Sequence, residues 1–289
     1  MFLVRKVLIC IFVILVVIWS IFPYYWMVNI SFMKEKDVTT APPNWLPPSV
    51  TFEQYASILG LVSEVSTLMS GQSELIRKGI VNSLIIGSVS SFIAVILSSL
   101  IAYIFSRYNF RFKGKFLLLL LMTRMLPPVA MAIPYYMIFS TFNLIGTHLG
   151  LIITYIAALI PINVWFLIGI FSSLPIDVER AARVDGCGRL KTFFYVVTRM
   201  GSSGIIVTAL LAFSTCWNEF TFAQLLNAGT AAQTLQSSIS GLFTHFTLYA
   251  LCGAALTLSA IPSIALTLIL GRYVTQIRGL GSMTIREVL

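Results

Sequence analysis

Six apolar runs, each about as long as the roughly 20 residues a helix needs to cross a bilayer, dominate this chain. They are Val7–Phe32, Gly79–Phe105, Phe116–Phe139, Leu149–Phe171, Ser203–Phe222 and Tyr249–Arg272. Backbone groups in hydrocarbon must pair within their own segment, so the runs read as membrane-spanning helices. The alternating pattern of a membrane β-barrel is absent. Only 10% of the 289 residues are charged, against about 25% in soluble domains. The fold class is therefore all-α: a polytopic membrane protein with one transmembrane domain over residues 1–289. An outer loop at 33–78 and a polar hairpin at 173–200 interrupt the spans. The first run starts like a signal peptide behind Arg5 and Lys6. It continues to Phe32 without a small-residue cleavage site, which predicts a retained signal-anchor helix.

Charge orients the spans. Arg5 and Lys6, then Arg107, Arg111, Lys113 and Lys115, then Arg180, Arg183, Arg189, Lys191 and Arg199, then Arg272, Arg278 and Arg286 all fall on one side. The opposite side holds Lys34, Lys36, Arg77 and Lys78. The positive-inside rule predicts cytoplasmic termini and a cytoplasmic hairpin. The net charge of +9 sits at span ends rather than on one soluble face, which argues against nucleic acid as a partner. Cys10, Cys216 and Cys252 lie in apolar runs and Cys187 in the hairpin, with no CxxC spacing for zinc or a disulfide framework. His148 and His245 fall in the outer loops. No HExxH string and no paired aspartates occupy a span, so an intramembrane enzyme is disfavoured. In the outer loop, "TTAPPNWLPPSV" has paired prolines that impose an extended path. "TFEQYASIL" after it reads as a short helix with Thr51 as cap.

The most polar long segment is "LPIDVERAARVDGCGRL", Leu174 to Leu190. Pro175 suits a first helical turn, and Asp177 and Glu179 fall near the positive end of the helix dipole. Val178, Ala181, Ala182 and Asp185 share a face, which the two alanines keep shallow. Gly186 is placed as a left-handed terminator. A second helix restarts near Arg189 with Phe193, Val196 and Val197 on its apolar side. Two readings stand at this point: a solvated loop that fixes topology, or a knob on which another protein docks.

Polar residues inside the runs are few. Arg124 lies eight residues after Phe116, roughly 12 Å into the third run. A charge there costs on the order of 3 kcal/mol on insertion scales, so it should face a cavity, a partner or the interface. Glu219 lies 16 residues into the fifth run, about 24 Å along it and near the outer side. Their depths differ too much for a direct pair between straight helices, which leaves Glu219 for an outer gate or a binding protein. Pro127, Pro128 and Pro134 free backbone groups in the third run, either as a packing kink or beside a cavity. Tyr135, Tyr136, Asn163, Trp217 and Asn218 are the residue types that stack on pyranose faces or bond hydroxyls. Tyr and Trp equally suit interfacial belts. The chain has no GxxxxGK[ST] loop, so any nucleotide energy comes from another subunit.

"ERAARVDGC" followed by Phe193 resembles the EAA signature of ABC-importer membrane permeases. With "PPNWLPPSVTFEQY", "NSLIIGSVSSFIAVILSSLIAYIFSR" and "WNEF" at 217–220, most of the chain is similar to the carbohydrate-uptake branch, in particular the smaller permease subunit of maltose-type systems. Arg180 stands where that signature has its glutamate, Cys187 replaces an alanine, and the prolines after the phenylalanine are missing. The resemblance implies a type I importer permease fold. Glu179, Ala181, Ala182, Asp185, Gly186 and Phe193 become candidate ATPase-coupling residues. Arg124, Tyr135, Tyr136, Asn163, Trp217, Asn218 and Glu219 become candidates for the translocation path. It further implies a second permease subunit, two ATP-binding cassette ATPases that bind ATP and Mg, an external solute-binding protein and a carbohydrate substrate. This chain itself would bind no cofactor, carry no catalysis and lie in a bacterial cytoplasmic membrane. An importer for glycerol phosphate or a polyamine is the alternative; the scarcity of membrane-embedded acids argues against a cationic cargo.

Overall fold

The structure is a computed structural model that describes residues 2–61, 67–243 and 247–277. Its helices are α1 (Phe2–Ser31), α2 (Glu35–Val38), α3 (Glu53–Leu59), α4 (Thr67–Arg107), α5 (Lys113–Met122), α6 (Pro128–Thr141), α7 (His148–Ser173), α8 (Ile176–Val184), α9 (Arg189–Thr192), α10 (Thr198–Met200), α11 (Ser202–Trp217), α12 (Thr221–Asn227), α13 (Leu235–Gly241) and α14 (Tyr249–Ile277). Among the described residues no strand occurs. The chain divides into two compact units, one from Met1–Ile80 with Ser238–Pro262, the other from Val81–Ser237 with the chain from Ser263.

The first unit is tied together by polar contacts at helix ends. Glu35 accepts the backbone N–H groups of Ala250 at 3.0 Å and Leu251 at 2.9 Å. It thereby satisfies two of the orphan donors that open α14. Gln54 donates to the Met33 carbonyl at 2.7 Å, and the Tyr55 hydroxyl donates to Ser31 Oγ at 2.7 Å. The "TFEQYASIL" stretch forms α3. Thr51 Oγ1 accepts the Glu53 N–H at 3.2 Å, although the cap position itself falls on Phe52. Helix α4 starts at Thr67 rather than at Gly79. Hydropathy misses this opening because its residues are polar, yet Glu74 and Lys78 pair at 2.7 Å one turn apart, as suits a helix.

The second unit is organised by α4. Ser90, Ala94, Ser98 and Ala102 recur every four residues, and all four are fully buried. Lipid gives helices no hydrophobic drive to associate, so close contact relies on small side chains such as these. Ile86, Ala94 and Val95 pack with Leu151, Tyr155 and Leu159 of α7, Ala212 and Cys216 of α11 and Phe222, Ala223 and Leu226 of α12. Further along, Ala102 and Tyr103 pack with Val164, Leu167, Ile168 and Phe171 of α7 and with Phe193 and Val197. Gly204 admits the Ile170 side chain where any Cβ would collide with it, and Gly150 sits against the Leu144 carbonyl in the same way.

Four helices are long and apolar enough to cross a bilayer alone: Arg5–Ser31, Leu68–Arg107, His148–Ser173 and Tyr249–Tyr273. The third expected span is not a straight helix but a bent pair, and the helix of the fifth forms a second bent pair with the end of the hairpin. Lys113–Met125 meets Pro128–Thr141 at 94°, and Arg189–Met200 meets Ser202–Trp217 at 81°. Pro127 and Pro128 explain the first break. Each denies a backbone N–H and drives the preceding residue out of the helical region. Leu126 and Pro127 accordingly adopt extended ψ values of 122° and 133°. The fifth expected span, Ser203–Phe222, stops at Trp217. There Asn218 turns its amide back onto the Ser214 carbonyl at 2.8 Å, a local bond that competes with helix continuation. Phe222 belongs to α12.

Gly150→Ala should destabilise the protein by about 1–3 kcal/mol, because the atom in the way is backbone and cannot rotate aside. Gly71→Ala, in a helical site with nothing near its Cβ, should stabilise by about 0.5–1 kcal/mol. Unfolding midpoints of the two variants in detergent micelles check the contrast.

Candidate functional site

The polar segment between α7 and α11 folds as a hairpin. Helix α8 begins after Pro175 and ends at Asp185, whose N–H bonds the Ala181 carbonyl at 3.0 Å. Gly186 follows at φ 84°, with open space where a Cβ would stand. A left-handed backbone suits glycine and reverses the chain. Gly188 then leads into α9, a π-helical stretch at Phe193–Val197 and α10.

The base of the hairpin is fastened to the end of α4. Glu179 and Arg107 form an ion pair at 2.6 Å with side chains only 8% and 9% exposed. Arg107 Nε donates to Glu179 Oε1 at 2.6 Å, and Arg107 Nη2 donates to the Leu174 carbonyl at 3.1 Å. The Tyr103 hydroxyl donates to the other carboxylate oxygen at 3.1 Å. Both charges are thus paired and bonded, which is what a buried pair requires. Phe193 supplies the apolar half of the anchor, with its ring 5.1 Å from Tyr103 and 6.3 Å from Phe171. Arg189 also lies over the Tyr108 ring at 5.3 Å.

Of the six candidate coupling residues, Glu179 and Phe193 therefore face inward, while Ala181, Asp185 and Gly186 are exposed and Ala182 is half-buried. The outward face has a feature that spacing did not single out: Val184 is 88% and Leu190 70% exposed. These two aliphatic side chains stand out on the outward face of the hairpin. Among the described residues Arg180 pairs with Asp177, at 3.1 Å and with both side chains exposed, where an ion pair contributes little. Arg107 and Tyr103 were invisible as site residues because they lie far from the hairpin in sequence. Their one signal was an arginine ending a long apolar run, which topology alone already explained.

The other candidates scatter. Asn163 is buried in α7 with its Nδ2 unpartnered. Trp217 is buried and stacked on Phe213 at 6.0 Å. Tyr135 is half-buried between Phe139 and Phe222, at 5.7 and 5.3 Å. Tyr136 and Asn218 are exposed. Glu219 is not a free carboxylate. It caps α12 by accepting the Phe222 and Ala223 N–H groups at 2.9 and 3.1 Å, and it accepts the Tyr155 hydroxyl at 2.8 Å. Arg124 is exposed and donates through Nη1 to the Ala158 carbonyl at 3.0 Å, so the two charges have separate partners. His148 Nε2 lies 2.8 Å from Asn82 Oδ1; His245 lies outside the described residues.

Helices long and apolar enough to cross a membrane singly or in bent pairs, joined by a polar hairpin pinned at its base, define a polytopic membrane protein. The model of the family described as binding-protein-dependent transport system inner membrane component matches residues 94–279; the chain belongs to that family and is a membrane permease. It is similar to the sulfoquinovosyl glycerol transport system permease protein SmoH of Agrobacterium fabrum, with 27% identity over 84% of this chain and 81% of that one. It is similar also to the trehalose/maltose transport system permease protein MalG of Thermococcus litoralis, with 29% identity over 94% of each. Its fold matches that of a chain in the crystal structure of a bacterial ABC transporter involved in import of the acidic polysaccharide alginate. There the TM-score is 0.76 at 18% identity, covering 93% of this chain and 96% of that one.

Arg107→Leu should destabilise the protein by about 3–5 kcal/mol, because it leaves the Glu179 carboxylate buried without a counter-charge. Arg107→Leu combined with Glu179→Leu should recover most of that loss. Unfolding midpoints of the two singles and the double, closed as a thermodynamic cycle, measure the coupling.

Proposed function

We propose that this chain is one of two permease subunits of an ATP-driven carbohydrate importer, and that the hairpin at 173–200 is its coupling element. The supporting observation is the division of labour within the hairpin. Glu179 and Phe193 bind it to α4 and α7, while Val184, Leu190, Ala181 and Asp185 stay outside. A docking surface that transmits force needs both parts. A loosely held knob would absorb a partner's motion instead of passing it on. Here a push on the tip reaches Arg107 and Tyr103 through a buried ion pair, and α4 carries it along its packed face.

The remaining assignments depend on that reading. Two ATPase subunits bind ATP and Mg and grip the hairpin from the cytoplasm, so both termini are cytoplasmic, in agreement with the clustering of basic residues. A solute-binding protein delivers cargo from outside, as the family description indicates. A second permease completes the path, since polar solutes are handled at subunit or repeat interfaces near mid-membrane. Carbohydrate cargo is supported by the sugars that the similar permeases are named for. The membrane is the bacterial cytoplasmic membrane.

Gly186→Pro tests the coupling role. Proline holds φ near −65° and cannot adopt the left-handed turn. The variant should insert into membranes at the normal level but lose copurification of the ATPase subunits, or lose ATP hydrolysis linked to uptake. Normal uptake by Gly186→Pro would exclude the hairpin as the lever.

A further inference from the structure

We infer that Arg124 is a subsite for the acidic group of an anionic sugar, a carboxylate or a sulfonate; this rests on the carbohydrate-importer reading above and names the class of cargo.

Two measures set the Arg124 guanidinium inside apolar segments, away from their ends, next to the break in the middle of a candidate bent span. Arg124 lies eleven residues beyond the start of α5, about 16 Å along its axis. Its Nη1 donates to the Ala158 carbonyl at 3.0 Å. Ala158 stands about 15 Å from the start of α7 and about 22 Å from its end.

The surroundings say what it faces. Thr123–Met125 is a single 3-10 turn, followed by extended Leu126 and Pro127 and the 94° bend into α6. Residues 122–130 are all exposed. Irregular backbone at membrane depth is tolerated only against protein or a water-filled cavity, never against lipid. The exposed break and the exposed cation therefore call for the same thing: a polar surrounding outside this chain. Among the described residues no carboxylate pairs with Arg124, and Glu219 is committed to Tyr155 and the start of α12. One bond to Ala158 fixes the guanidinium while leaving most of its five donors open. A planar fork of that kind matches a carboxylate or sulfonate oxygen pair. The flanking Met125, Leu126 and Val129 are exposed and apolar, so they neither compete for those donors nor supply water. A cationic solute is repelled at this point and an acidic one is held.

The test uses the complete importer, with this chain, its partner permease, ATPases and binding protein, in proteoliposomes. Uptake is measured for two acidic solutes, sulfoquinovosyl glycerol and an alginate trisaccharide, and two neutral ones, trehalose and maltose. The wild type should import at least one acidic solute. Arg124→Gln should cut that uptake by about tenfold or more with unchanged copurification of the partner permease, and Arg124→Lys should restore part of it. Uptake of neutral solutes only, or acidic uptake unaffected by Arg124→Gln, would overturn the inference and leave the carbohydrate reading standing. An equal fall in acidic and neutral uptake, or loss of the partner permease from the complex, would mark a structural or inter-subunit role and would also overturn it. Import of none of the four solutes would sink the carbohydrate reading, and this inference with it.

Discussion

Close approach of helices to α4 is the constraint on which the second unit depends. Hydrophobicity cannot supply it, because a leucine is as comfortable against lipid as against a neighbouring helix. What remains is contact at short range and the hydrogen bonds that short range permits. The Ser90, Ala94, Ser98 and Ala102 row provides the first of these, with no side chain larger than a methyl or hydroxymethyl group on that line. Gly204 and Gly150 make the corresponding concessions on the elements packed nearby. Once α4 and α7 are held at that distance, Tyr103 and Arg107 are brought to where Glu179 can reach them. The buried ion pair is thus a consequence of the small-residue row as much as of its own charges.

That pair is not the cheapest way to hold a hairpin. Well-packed apolar side chains of similar size would serve stability as well or better. An ion pair with three further polar contacts instead fixes direction: the carboxylate meets Arg107 and Tyr103 in one geometry, and Leu174 fixes the guanidinium plane. The π-helical stretch at Phe193–Val197 belongs to the same arrangement. An extra residue per turn rotates the rest of the helix about its axis, and such bulges concentrate at functional places in helices. Here it leaves Phe193 and Val197 in the core while Phe194 and Tyr195 remain exposed.

The architecture was readable from sequence wherever one physical rule acted alone. Run length fixed the α7 span almost to the residue, and Gly186 ended α8 because no other residue takes that turn as freely. Reading failed where two rules competed. The third run kept an apolar composition through Pro127 and Pro128, so hydropathy saw continuity and only backbone sterics saw the break. Glu219 looked like a buried charge seeking a partner. Once α11 stopped at Trp217 it became a cap, a role that depends on a turn rather than on depth. Glu179 became a coupling candidate through its place in the charged hairpin; the Arg107 and Tyr103 partners that turn its carboxylate inward lie on another helix, out of range of any local pattern. Val184 and Leu190 were passed over because an exposed aliphatic residue is ordinary until its surroundings are known.

Exposed helix α1 and the exposed break between α5 and α6 are not equivalent. Helix α1 is exposed from Arg5 to Tyr25, yet the backbone groups along it are satisfied by its own helix. Lipid covers such a surface at no cost, and a partner subunit would do so equally well. The break between α5 and α6 has no such freedom, for its irregular backbone and Arg124 both demand polar company. A bilayer around this single chain would have to admit water or distort there. The broken third span is therefore unsuited as a lipid-facing surface. A subunit joined to a second permease resolves the difficulty only if their shared space at that depth is wet, which is the condition for a solute path.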